Sequence, residues 1–123
     1  MTEKLYSEIF NVTHNDCISE IDNSLPSLLG TYTLVKWMEI VSAKNINRQL
    51  DKQYITVGQK VSIEHIGMVR IDENVQVIST IEKRDKRNVS FTLEAIANGK
   101  LIATASHNRI VIAMKVIDKV LKS

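Results

Sequence analysis

Gly30-Thr31-Tyr32-Thr33-Leu34-Val35-Lys36-Trp37-Met38-Glu39-Ile40-Val41-Ser42-Ala43-Lys44-Asn45 is the stretch on which the fold turns. Leu34, Val35, Met38 and Val41 recur at the spacing of a helix with one apolar face, and Ile46 continues the series. Trp37, Ile40 and Ala43 widen the stripe, and only Lys36, Glu39 and Lys44 carry charge. The pattern predicts a helix from Thr31 to about Asn45 that leaves little surface for water. Such a helix needs a sheet wrapped around it. Pro26 and Gly30 bracket the approach to it, after a loop over Asp22-Asn23-Ser24-Leu25-Pro26.

The rest of the chain supplies the sheet. Lys4 to Thr13 reads as a strand, with Leu5, Ile9 and Val12 among polar residues. Beyond the helix the period drops to two. Tyr54 to His65 predicts a strand with Val57, Val61, Ile63 and His65 on one face and Thr56, Lys60, Ser62 and Glu64 on the other. Strands are predicted over Asn74–Arg84, Arg87–Ala97 and Lys100–Ile112. Asp85-Lys86 is a tight turn, and Asn98-Gly99 is a strong hairpin signal. Met114 to Lys122 closes the chain as a short amphipathic helix. The fold class expected is α+β, an antiparallel sheet curled around one long central helix.

With 123 residues, 44% of them hydrophobic and 24% charged, the chain reads as one globular domain over 1–123. A net charge of +2 and 5% aromatic residues give no footing for nucleic acid. A single cysteine, Cys17, rules out an intrachain disulfide and suits a reducing compartment. Met1–Glu8 is acidic, without the apolar core of a signal peptide, and no run approaches a membrane span. A cytoplasmic location is expected. His14, His65 and His107 are scattered and lack metal-ligand spacing, and no phosphate loop or dinucleotide fingerprint is present.

Thr31 at the start of the helix, Glu39 eight positions on, and Gly58 seven positions before His65 carry a resemblance. So does Ser106-His107-Asn108-Arg109, which leads into the apolar Ile110-Val111-Ile112. Together, from Leu29 to Ile112, they resemble the hotdog-fold thioesterases of the fluoroacetyl-CoA thioesterase-like group. Asn108 departs from that pattern, which has an acidic residue there. The resemblance implies hydrolysis of a small acyl-CoA, with Thr31, Glu39 and His65 as the catalytic trio; Gly30 and Gly58 would let a backbone approach the substrate closely, and His107 and Arg109 read as structural residues or weak substrate contacts. It implies coenzyme A as part of the substrate, no separate cofactor or metal, and a homodimer or higher homo-oligomer with the site at its interface. The one specialised member's preference for a fluorinated acyl group does not transfer.

Residue chemistry is compatible with this. Acyl transfer from a thioester needs a base or nucleophile and donors for the oxyanion. The helix start offers unpaired N–H groups, Glu39 could be base or nucleophile, and His65 could shuttle protons, as histidine side chains commonly do in catalysis. Thr31 could orient water, donate to the oxyanion or itself be acylated. A carboxylate set in an apolar face would favour proton transfer near neutral pH. Eight helical residues rise about 12 Å, so Thr31 and Glu39 of one straight helix cannot touch. Either Thr31 lies in a loop folded back over the helix, or the working Glu39 belongs to a second copy. Each residue also has a plain alternative: Thr31 as a helix cap, Glu39 as a solvated residue, His65 as an inward core histidine, Gly58 as a strand bulge. The charged run Glu82-Lys83-Arg84-Asp85-Lys86-Arg87 is a solvated turn or a contact for the phosphates of CoA. The competing function is a non-catalytic binding module for acyl-CoA or another small ligand.

Overall fold

A computed structural model describes residues 4–123. The first three residues of the expected 1–123 domain, and of the acidic stretch Met1–Glu8, lie outside the described residues. Five strands, β1 (Leu5–Asn11), β2 (Tyr54–His65), β3 (Asn74–Asp85), β4 (Asn88–Ala97) and β5 (Lys100–Ala113), form one antiparallel sheet in the order β1-β3-β4-β5-β2. The long helix α1 (Thr31–Asn47) lies across its inner face, and a short helix α2 (Met114–Lys122) follows β5. The sheet wrapped on one central helix is the hotdog arrangement.

Alternation builds the core. Val75, Val77 and Ile81 of β3, Val89, Phe91, Leu93 and Ala95 of β4, and Leu34, Trp37, Met38, Val41 and Ile46 of α1 are buried together. Each fully buried aliphatic or aromatic side chain contributes about 1.5–3 kcal/mol. Trp37 stacks on Phe10 of β1 with ring centroids 4.7 Å apart. The helix is set against β3 by a buried polar contact, Ser42 Oγ to Ser79 Oγ at 3.1 Å, and Asn45 Nδ2 donates to the Ser79 and Lys4 carbonyls at 3.1 and 3.0 Å.

Two hairpins join consecutive strands. At Asn98-Gly99 both residues have positive φ (53° and 72°), the twist that a two-residue connection requires. At the other hairpin Lys86 takes φ 59°. β1 stops at Asn11, short of the expected Thr13. Thr13 instead exchanges hydrogen bonds with Asp16, its N–H donating to Asp16 Oδ2 at 2.8 Å while Asp16 N–H donates to its carbonyl at 3.0 Å, and the chain turns there.

β2 differs from its expected phase. Gly58 pairs with Arg109 and Lys60 with Asn108, so Gln59 is an extra residue bulged out of the ladder. Before the bulge Thr56 is buried and Val57 exposed; after it Val61, Ile63 and His65 point inward. Thr56 and Val57 thus exchange the faces that strict alternation assigns them. β2 and β1 are the two edges of the sheet.

Candidate active site

Two groups of polar side chains interrupt the apolar inner face, one at each end of β2. The first gathers where α1 begins. Thr31 is the first helical residue and Gly30 the N-cap, so Thr31 is neither a cap nor part of a folded-back loop. Its Oγ1 lies 2.8 Å from His65 Nδ1 at the end of β2. His65 Nε2 is buried with no hydrogen-bond partner among the described residues. The preceding segment is tied down by Gly30 N–H to the Asp16 carbonyl (3.0 Å), Leu29 N–H to the Val69 carbonyl (2.8 Å) and Thr33 Oγ1 to the Asp16 carbonyl (3.0 Å). A Cβ on Gly30 would press into the Tyr32 ring, whose hydroxyl donates to the Cys17 carbonyl at 3.0 Å. Because Gly30 has no capping side chain, the N–H groups of Thr31 and Tyr32 have no partner among the described residues. They form a donor pair at the positive end of the helix dipole.

The second group is built around Arg109. Arg109 is buried, 7% exposed. Its Nε donates to Thr56 Oγ1 at 2.8 Å and its Nη2 to the Thr56 carbonyl at 3.1 Å. Its Nη1 reaches His107 Nε2 at 3.1 Å and Glu39 Oε1 at 3.3 Å. Glu39 is therefore not a carboxylate in an apolar setting: its side chain is 43% exposed and ion-paired. Gly58 faces this pair, and a Cβ there would collide with Glu39 Oε1. The glycine gives the carboxylate room to reach Arg109 across β2. His107, buried and stacked on Phe91 with centroids 5.8 Å apart, meets the Lys60 carbonyl through Nδ1 at 2.8 Å. A carbonyl only accepts and a guanidinium only donates, so Nδ1 carries the proton, Nε2 accepts, and His107 is neutral.

Burial is the main cause that holds the His107 pKa below its ordinary value, and the Arg109 charge adds to it against the Lys60 carbonyl and Glu39. Burial likewise lowers Arg109, with Glu39 pulling the other way. The consequence for stability has a definite sign. The unfolded histidine takes up its proton near pH 6.5, whereas the folded one does so only at lower pH. Below about 6.5 the unfolded state binds more protons, so stability falls as pH drops toward the folded value. Urea unfolding at pH 8, 6.5 and 5 should show this loss, and His107→Gln should flatten the dependence. Equal slopes in parent and variant would contradict it.

The structure brings Thr31 to His65, and Glu39 to Gly58 and Arg109, but leaves the two groups apart. Six ladder steps separate Gly58 from His65, about 20 Å. Thr56 was missed by the sequence reasoning, which put it on the polar face. The signal that bears on it is Gly58, a residue that often marks a bulge. Among the described residues no cluster of His, Cys, Asp and Glu could hold a metal ion, and no helix is long and apolar enough to cross a membrane.

The family model for the fluoroacetyl-CoA-specific thioesterase FlK matches residues 12–115. The chain belongs to this family. It is a thioester hydrolase. No curated protein matches it by sequence. Among solved structures, the fluoroacetyl-CoA thioesterase itself superposes with TM-score 0.89 at 16% identity, over 99% of this chain and 95% of that one. A Thermus thermophilus protein of the thioesterase superfamily gives TM-score 0.90 at 20% identity, over 98% and 90%. A hot-dog-like protein from Thermanaerovibrio acidaminovorans gives 0.89 at 14% identity, over 98% and 89%. These likenesses show the hotdog fold. A variant of the fluoroacetyl-CoA thioesterase has been solved with acetyl-CoA, at 15% identity and TM-score 0.90, over 99% and 96%.

Proposed function

We propose that this protein hydrolyses a small acyl-CoA to the free acid and coenzyme A, at a site that two copies of the chain build together. The observation that carries the proposal is the 2.8 Å contact of Thr31 with His65 beside an uncapped helix N-terminus, with the other imidazole nitrogen buried and unpartnered. The thioester oxygen would sit against the Thr31 and Tyr32 N–H groups, where negative charge is stabilised as it develops. Glu39 would take a proton from water as its oxygen attacks the acyl carbon. Glu39 would pass that proton to His65, which would give it to the departing thiolate as the C–S bond breaks, leaving both groups as they began. Thr31 orients His65 and the water. Gly30 makes room for the Tyr32 ring and Gly58 for the Glu39 carboxylate, Arg109 has one Nη2 hydrogen left for a ligand, and His107 acts behind Arg109.

Thr31 and Glu39 stand about 12 Å apart on one helix, so one chain does not unite the trio. β2 is an edge strand whose outer N–H and C=O groups invite pairing. Antiparallel pairing with the β2 of a second copy, centred near Val61 and Ser62, would bring the partner's Gly58 end alongside this copy's His65. Glu39 of the partner subunit would then complete the trio. The row Gly58–Arg109–Val89–Arg84 leads to the charged hairpin at that same end, which would carry Lys83, Arg84, Lys86 and Arg87 toward the phosphates of CoA.

A thiol-release assay over a panel of acyl-CoA esters tests the activity. Turnover of a short acyl ester is expected. Thermal stabilisation by CoA esters without turnover would favour the binding module instead. Light scattering at micromolar concentration should give at least a dimer, and a monomer would overturn the shared site.

A further inference from the structure

A base must point at its substrate, and Glu39 is poorly placed to do so by itself. It sits on the open flank of α1 with its side chain 43% exposed. A half-exposed carboxylate on a flexible stem gains little from one ion-pair contact in water. Arg109 Nη1 at 3.3 Å is its charged partner among the described residues. That contact can hold Glu39 only if the guanidinium does not move.

The surroundings of Arg109 meet this condition. Four of its five N–H donors are engaged, and three go to groups that are themselves fixed. Thr56 supplies two acceptors, its hydroxyl and its carbonyl, from a buried position in β2. His107 supplies the third, and its ring is locked by the Lys60 carbonyl on one side and Phe91 on another. The bulge at Gln59 connects these contacts: it lets Thr56 and Gly58 face inward ahead of it while the Lys60 carbonyl beyond it meets His107.

We infer that Thr56 and His107 are positioning residues, which fix Arg109 so that it aims the Glu39 carboxylate at the water that attacks the thioester. Neither touches substrate, and both act through the guanidinium. This inference rests on the reading of Glu39 as the base. A merely structural role would make the same two residues matter for melting temperature and not for chemistry at temperatures where the protein is fully folded.

Thr56→Val keeps the shape and removes the hydroxyl acceptor. With the folded protein confirmed by circular dichroism, kcat on the best acyl-CoA should fall about 10- to 100-fold, the scale of an ångström-sized misplacement. KM should change far less, because no substrate contact is lost. Thr56→Ser restores the acceptor and should restore kcat. His107→Phe keeps the stacking and removes the other acceptor, and should fall likewise, while His107→Gln, whose amide oxygen can accept from Arg109, should recover part of the loss. The His107 pair decides the matter if Thr56→Val does not fold. A folded Thr56→Val or His107→Phe with parental kcat would overturn the proposal, as would a serine variant no better than valine. Nitrogen-15 spectra of the Arg109 Nε–H and carbon-13 spectra of the Glu39 carboxylate read the lock without turnover. The first should exchange slowly in the parent and fast in Thr56→Val, and the second should shift. A parent that turns over no acyl-CoA would refute the thioesterase proposal, whereas spectra untouched by Thr56→Val would refute the lock itself.

Discussion

Glu39→Gln should lower kcat by about 10²–10⁴-fold, the usual contribution of a general base, while the protein stays folded. The amide keeps an oxygen that can accept from Arg109 Nη1, in a side chain already 43% exposed. The amide removes the counter-charge of a buried guanidinium as well as the base, so the fall in kcat is read at temperatures where the variant is fully folded. His65→Ala should fall by a similar factor, because it removes the imidazole that meets Thr31 and would carry the proton. Thr31→Ser should keep most of the activity and Thr31→Ala should lose part of it. Initial rates of thiol release, with circular dichroism and light scattering on the same samples, separate chemistry from unfolding and from loss of the dimer. A Glu39→Gln enzyme as fast as the parent would remove the carboxylate from the mechanism.

Arg109→Met should have the largest effect on stability among changes near the site. Methionine fills much of the same volume but donates nothing. The Thr56 hydroxyl, the Thr56 carbonyl and His107 Nε2 then lose their donor inside a water-poor region. Each buried acceptor left unmade costs about 1–3 kcal/mol. The hydroxyl can turn toward another partner, which brings the expected total to about 2–5 kcal/mol. For a domain of this size that is a drop in Tm of roughly 10 °C or more. Glu39 adds little to this total, because it remains in contact with water. Replacing Lys44, which pairs with Glu8 at 3.0 Å on an exposed side chain, should change stability by less than about 1 kcal/mol. Chemical unfolding of the two variants side by side makes the comparison, and equal midpoints would show that the Arg109 cluster is not a buried network in solution.

The helix and most of the sheet were legible because their side chains keep one period from end to end. Leu34, Met38 and Val41 declare α1, Val89 to Ala95 declare β4, and Asn98-Gly99 announces its own turn. The separation of Thr31 from Glu39 also followed from the sequence, through the rise of a helix. The contact of Thr31 with His65 joins residues 34 positions apart, and only the packing of the helix start over the end of β2 makes it. The pairing of Glu39 with Arg109 was illegible for a related reason, since it depends on a carboxylate passing over Gly58. The face of Thr56 was misread because period two holds only while each residue takes one place in the ladder. At Gln59 one residue takes none.

That surplus residue also bears on how the chain can change length. From Gly58 to His65, β2 spends eight residues on seven pairing places of β5, Arg109 back to Ala103. Loss of any one residue between these ends can be absorbed by closing the bulge. Thr56, Gly58 and His65 would all still face inward, in the same register with β5. A gain of one residue finds no such slack and must widen the irregularity or turn one end of the strand outward. The spacing between the two halves of the site is thus dictated by the neighbouring strand. A lineage could shorten β2 here without separating Gly58 from Glu39 or His65 from Thr31.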